Sequence, residues 1–300
     1  MITLPEKVLV VGAGFLGSNV VREFRDHNVI QTNLTKIQDS YVLDITDEKK
    51  VMDCFDGVKP SIVINCAGNT EIDFLEKNAH VAYSINADGA RNLAVAAERS
   101  KARLIHISTD GVFDGTRGNY TEEDEPNPIN VYARSKLSGE EQIAKNCSNH
   151  VVIRTNFYGH HPQSKFLFNS ILSKLRKKEQ IIGFDDVVFT PLEVSNLSQL
   201  ISEVAFSNYV GILNLSSNES ITKYQFCCSI AKMFDLDLSL IKRGFIDNAG
   251  FIAKRPKNTS LVNAKSKQIT KSKITSLADW LLKIRDLDDH FVKKMTLNKK

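Results

Sequence analysis

Tyr132 and Lys136 lie four residues apart in Val131–Ala144, a stretch whose pattern predicts a helix, so both side chains leave one face. An ammonium beside a phenol favours the phenolate. A tyrosine so tuned can give a proton to a carbonyl oxygen, or take one from an alcohol, near neutral pH. Of the seven tyrosines, only Tyr132 has a lysine four residues on. A Tyr–Lys pair alone also suits an ordinary surface helix, so the chemistry needs a third group: a hydroxyl that holds the substrate oxygen. Leu104–Ile107 reads as a strand and runs into Ser108-Thr109-Asp110. Such residues also favour strand ends for local reasons. Ser108 and Thr109 should point to opposite sides of the strand, so only one can serve.

A second constellation is a cradle for phosphate. The strand-like Val8–Val11 runs into Gly12-Ala13-Gly14-Phe15-Leu16-Gly17, and a helix is expected over Phe15–His27. Glycines at this spacing permit a tight turn, close approach to a pyrophosphate and close helix–strand packing, with the helix N-terminus facing the anion. A ligand-free glycine turn is the bland alternative, and it weakens once strand, turn and helix head a parallel sheet. At the end of the second strand, Gln31-Thr32-Asn33-Leu34-Thr35-Lys36 carries no acid for ribose hydroxyls, and Lys36 could meet a 2′-phosphate. That favours NADPH, with NADH also compatible.

The elements needed to position these groups are legible as an alternation. Strands are expected at Val29-Ile30, Tyr41–Leu43, Ser61–Asn65 and Val151–Ile153, with helices at Glu48–Phe55 and Ala79–Glu98. Repeated βα units imply a doubly wound parallel sheet with right-handed crossovers. After Tyr158 the pattern loosens. Helices are expected over Ser164–Lys178, Val194–Ala205, Lys223–Phe234 and near Ser276–Ile284, and short strands near Ile181, Val187 and Gly211–Leu215. The division expected is a dinucleotide-binding domain over residues 1–158, a substrate-binding lobe interleaved with the sheet over 159–290, and a basic tail over 291–300.

At 300 residues the chain can bury a large core, and a net charge of +4 with interspersed signs argues against nucleic acid as the main partner. Five cysteines with no CxxC or Cys/His spacing suggest reduced thiols in a cytoplasmic protein. No signal peptide and no apolar run of membrane-spanning length is expected.

The sequence resembles the dTDP-4-dehydrorhamnose reductase family of the extended short-chain dehydrogenase/reductases. The matching text is LDITD (Leu43–Asp47), INCAGNTEID (Ile64–Asp73), SINADGARNLA (Ser84–Ala94), HISTDGVFDG (His106–Gly115), NPINVYARSKLSGEE (Asn127–Glu141), VIRTNFYG (Val152–Gly159), FTPLEVSNL (Phe189–Leu197), ITKYQF (Ile221–Phe226) and RPKNTSL (Arg255–Leu261). The resemblance implies an α/β, Rossmann-like doubly wound sheet with a small C-terminal substrate-binding lobe. It assigns Thr109, Tyr132 and Lys136 as the catalytic hydroxyl, tyrosine and lysine. For the cofactor it implies Gly12, Gly14, Phe15, Leu16, Gly17, Asn33, Asp44, Ile45, Cys66, Ala67, Gly68, Tyr132, Lys136 and Thr155. For the substrate it implies Thr70, Asp73, Thr109, Asp110, Asn156, Phe157 and Arg255, with Asn86 a polar support behind the site.

Three departures bear on substrate. The glycine turn is one residue shorter than the family's commoner form. Gly111 replaces an aromatic that walls the sugar pocket, and the run Asn156–Gly159 is shortened. Acidic positions that bridge a metal-linked dimer in some relatives are not recognisable, so no metal is expected. The resemblance implies reduction of a nucleotide-linked 4-keto-6-deoxy sugar by NADPH, the family product being dTDP-L-rhamnose, a precursor for polysaccharide. Two alternatives stand beside it: reduction of another nucleotide keto-sugar, and a non-catalytic NADP-binding regulatory subunit like the β-subunit of methionine adenosyltransferase. The partner expected is the nucleotide-sugar substrate, without nucleic acid or membrane, and a homodimer is the assembly considered.

Overall fold

A computed structural model describes residues 6–36, 40–160 and 166–286. Six strands open the fold: β1 (Lys7–Val11), β2 (Asn28–Asn33), β3 (Ser40–Val42), β4 (Ile62–Asn65), β5 (Arg103–Thr109) and β6 (His150–Thr155). A later strand, Gly211–Asn214, joins them. Every pairing in this seven-stranded sheet is parallel, in the order (Gly211–Asn214)-β6-β5-β4-β1-β2-β3. The order reverses between β1 and β4, which leaves a crevice at their carboxyl ends, the usual ligand position in such sheets.

Both faces are covered, which is why β4 and β5 are buried along their whole length. Alternate residues serve opposite layers. Val8, Val10, Ile62, Ile64, Ile105 and Ile107 pack under α1 (Phe15–Glu23) and a helix at Val194–Ala205. Leu9, Val11, Val63 and Leu104 pack under α2 (Glu48–Val58) and the helices that follow β4 and β5. The first helix stops at Glu23, four residues short of the expected His27, where the Phe24 N–H closes on the Val20 carbonyl.

The helix expected over Ala79–Glu98 is interrupted. α3 (Ile72–Lys77) precedes it, and α4 (Ala79–Tyr83) passes through a π turn at Ser84–Asp88 into α5 (Gly89–Ser100). In that turn the Gly89 N–H donates to the carbonyl of Ser84, five residues back. Such turns are rare and gather at functional sites. The neighbouring α6 (Val131–Asn146) presses against this segment. A Cβ on Gly139 would sit 2.2 Å from the Asn86 carbonyl oxygen.

The remaining chain builds a smaller layer over the carboxyl ends of the strands. α7 (Leu167–Arg176) and α9 (Lys223–Met233) enclose a core of Tyr158, Phe168, Ile171, Phe189, Phe226, Ile230 and Trp280. The intervening α8 (Val194–Ala205) and the strand Gly211–Asn214 return to the main sheet. A last helix covers residues 277–286. The expected basic tail, 291–300, lies outside the described residues. Among the described residues, all five cysteines are free and no helix is long and apolar enough to cross a membrane.

Candidate active site

The glycine turn is built by contacts. Gly12 adopts φ +98°, and a Cβ there would approach the Ala67 nitrogen to 2.9 Å. A Cβ on Gly17 would lie 1.9 Å from the Gly12 carbonyl oxygen, so only glycine lets α1 start this close to β1. A Cβ on Gly14 would meet nothing within 4 Å, which leaves its face of the turn open to a ligand. That face borders a cleft of about 860 Å³ lined by Gly12, Gly14, Asn33, Asp44, Ile45, Cys66, Ala67 and Gly68 among others. Gly17 packs behind it, and the side chains of Phe15 and Leu16 turn into the sheet's core rather than the cleft. Asp44 faces the cleft with one carboxylate oxygen already accepting from the Thr46 N–H (3.0 Å) and hydroxyl (2.8 Å). Asn33 likewise accepts from the Leu34 N–H.

A second cavity, about 720 Å³, lies between the strand ends and the smaller layer. Thr70 borders both spaces, so they meet there. Thr109, Asp110, Tyr132, Asn156 and Arg255 line it with Thr70, as does Gly111, which lies outside the left-handed region. Asp73 and Phe157 do not reach it. The Asp73 carboxylate accepts from the Ala253 N–H (3.1 Å) and Arg255 Nη2 (2.9 Å), binding α3 to the segment around Phe251–Pro256. Phe157 packs beside Phe15. Arg255 is held at one nitrogen only: its Nη1 is buried without a hydrogen-bond partner, and its guanidinium lies 4.8 Å over the Phe251 ring.

At the cavity floor the two candidate hydroxyls separate as strand geometry requires. Ser108 donates to the Glu140 carboxylate on the buried side. Thr109 turns toward Tyr132, within hydrogen-bonding reach, and its hydroxyl contacts Asp110 Oδ1 at 3.2 Å. Burial pushes the Tyr132 phenol up to about 12; the Thr109 hydrogen bond works against that shift and the Asp110 charge adds to it. The expected ammonium at the phenol is displaced. Lys136 Nζ instead donates to the Ile107 carbonyl (2.6 Å) and meets His106 Nε2 at 3.1 Å. Burial draws Lys136 down to about 8. Thr155, expected beside the cofactor, borders neither cavity; its hydroxyl is buried and unpartnered. Behind the wall, Asn86 donates to Ser135 Oγ (2.9 Å) and to the Asn69 carbonyl, and accepts from the Asn69 N–H.

Two residues that sequence reasoning passed over, Thr259 and Lys223, complete the cavity around Asp110. Asp110 is held by Asn156 Nδ2 (3.1 and 3.2 Å) and by the Thr259 hydroxyl (2.6 Å); burial raises its pKa against these bonds. Lys223, the first residue of α9, sends Nζ to 3.3 Å from the Phe189 ring centroid and lines the cavity. Burial lowers it to about 8, against the charge of Asp110. A lysine in the first turn opposes the helix dipole, and that misplacement was the available signal.

The fold and these two cavities define a dinucleotide-binding α/β architecture with a Tyr–Lys helix at its second cavity. The chain belongs to the family of the RmlD substrate binding domain, whose model matches residues 6–291. It is 28% identical to a dTDP-4-dehydrorhamnose reductase from Bacillus anthracis solved in complex with NADP, with a TM-score of 0.86 over 93% of this chain and 98% of that one. It is 31% identical over 264 residues to a probable low-salt glycan biosynthesis reductase, Agl14, of Haloferax volcanii (84% of this chain, 88% of the relative). It is also 30% identical over 278 residues to methionine adenosyltransferase 2 subunit beta of Rattus norvegicus (85% and 80%).

Proposed function

We propose that this protein uses NADPH to reduce the keto group of a nucleotide-linked 4-keto-6-deoxy sugar, with dTDP-4-dehydro-L-rhamnose to dTDP-L-rhamnose the favoured conversion. The observation that carries the reading is the placement of Thr109 and Tyr132 together on the wall of a cavity that meets the glycine-turn cleft at Thr70. The residues present fit a phosphorylated dinucleotide. The Gly14 face is open and no carboxylate stands at the end of β2. When bound, the cofactor supplies a hydride to the carbonyl carbon. Thr109 orients the carbonyl oxygen and Tyr132 gives it a proton, while burial of the phenol keeps that proton in place until the oxygen becomes basic. The unpartnered Arg255 Nη1 suits a diphosphate oxygen.

Tyr132→Phe tests this reading: NADPH binding should persist and turnover should fall by about 10²–10⁴-fold, the usual contribution of a positioned acid. Near-normal kcat would overturn the assignment. A second reading, a regulatory subunit, is favoured by the methionine adenosyltransferase relative. Absence of NADPH oxidation across a panel of nucleotide keto-sugars, with NADPH binding intact, would favour it.

A further inference from the structure

His106 is 1% exposed, in the middle of β5, and it contacts the Lys136 amine from below. Its protonation is decided one strand away. Asn65, its register partner on β4, receives the Ala67 N–H on Oδ1 at 3.0 Å. A backbone N–H can only donate, so the amide oxygen of Asn65 must face Ala67. The Asn65 Nδ2 group then faces His106 Nδ1 at 3.0 Å, and it too can only donate. Nδ1 is therefore the bare nitrogen, and the imidazole proton sits on Nε2, the atom 3.1 Å from Lys136 Nζ.

We propose that His106 is a positioning residue that sets the proton affinity of Lys136: Asn65 fixes the Nε2–H tautomer, and that N–H, aimed at Nζ, favours the amine over the ammonium. An amine accepts from Nε2–H while still donating to the Ile107 carbonyl; an ammonium would face one donor with another. The other groups around the pair do not replace this contact. Cys66 is held as a thiol by burial, pushed up to about 12. Glu140, one turn beyond Lys136, is engaged by Arg154 and Ser108. His150 binds the Cys147 carbonyl through Nδ1, and the Tyr132 phenol is directed to Thr109. Burial, the first cause, already draws Lys136 to about 8, with Glu140 and Cys66 opposing it. Burial, Lys136 and His150 likewise hold His106 well below the usual histidine range, so it stays neutral.

For the proposed reduction, a lysine of lowered proton affinity is a stronger acid for returning a proton to Tyr132 after each turnover. That consequence rests on the reductase reading; the tautomer and the lysine titration do not, and both are read without substrate. Imidazole ¹⁵N NMR of the full chain should show His106 neutral, with Nε2–H, from pH 6 to 9. An Nδ1–H tautomer or an imidazolium at pH 6 would overturn the proposal. The Lys136 side-chain ¹³Cε resonance should titrate near pH 8. In His106→Phe its midpoint should rise by about one pH unit, and an unmoved midpoint would show that His106 only fills space. If that variant does not fold, Asn65→Asp decides the matter. Its carboxylate, read at pH 9, accepts from the imidazole and should switch His106 to the Nδ1–H tautomer. A retained Nε2–H would overturn the role given to Asn65. Loss of keto-sugar turnover in the parent protein would sink the reductase reading and leave these spectra unaffected.

Discussion

Glu140→Gln tests what holds β5 and β6 against α6 beneath the candidate site. Arg154 and Glu140 are 1% and 3% exposed. Arg154 donates to one carboxylate oxygen through Nη2 at 2.7 Å and Nε at 3.1 Å, and Ser108 donates to the other. The guanidinium also lies 5.1 Å over the Phe113 ring, and its Nη1 has no partner. Glutamine keeps the volume and removes the charge. The cation stays at the same depth and meets an amide with only one accepting oxygen. Removing one member of a buried ion pair costs about 3–5 kcal/mol. At roughly 2 °C per kcal/mol for a chain of this size, Tm should fall by roughly 6–10 °C. Thermal melts followed by circular dichroism, beside urea titration at pH 7, measure it. The double replacement Glu140→Leu with Arg154→Met should recover most of the loss, because the stranded charge is what is expensive. A single variant within about 1 kcal/mol of the parent, or a double variant less stable than the single, would refute the reasoning.

Other outcomes are expected with the same tools. Gly111→Tyr should leave Tm nearly unchanged, since position 111 needs no left-handed backbone, and should shift KM for the keto-sugar because the ring enters the cavity; a Cβ there meets Thr109 Oγ1 at 3.3 Å, so kcat should fall too. An unchanged KM on every sugar would show that this position does not face the substrate. Gly139→Ala should cost about 1–3 kcal/mol by overpacking against the Asn86 carbonyl, read as a lower urea midpoint. Stability should decline above pH 9. Burial raises Cys54 and Cys147 to about 11, and Cys66 and Cys227 to about 12, from 9.0, so the unfolded chain loses these protons first and the stabilisation disappears as pH climbs toward 11–12. Lys136 and Lys223, lowered to about 8, act with the opposite sign between pH 8 and 10.5, and four thiols outweigh two lysines. Urea midpoints that rise from pH 9 to 10.5 would contradict this.

The doubly wound sheet was legible because its strands are short apolar runs separated by amphipathic helices, and burial on both faces leaves that mark in sequence. The Val194–Ala205 helix was readable to the residue. Of the candidate site, the glycine turn was legible, because local spacing carries its geometry. The site was not legible where a side chain's partner comes from a distant segment. Asp73 and Arg255 read as two substrate contacts, yet they bind each other across 182 positions. Lys136 reads as a neighbour of Tyr132, yet its amine is turned to His106 and Ile107, a contact that depends on how deeply β5 sits under α6. The π turn was invisible because Ser84–Asp88 lies inside a longer helical pattern and differs from an α turn only in count, which no residue type marks.

That count has a consequence for lineage. A turn closed over five residues holds one residue more than an α turn can, so the bulge takes up a single inserted residue without rotating the helices on either side of it. Ala82 on the α4 side therefore keeps its cluster with Leu75 and Val131, against which Tyr132 packs. A one-residue gap at this place in a relative's sequence therefore marks a helix that runs unbroken through Ser84–Asp88, with the wall around the tyrosine built from the same faces.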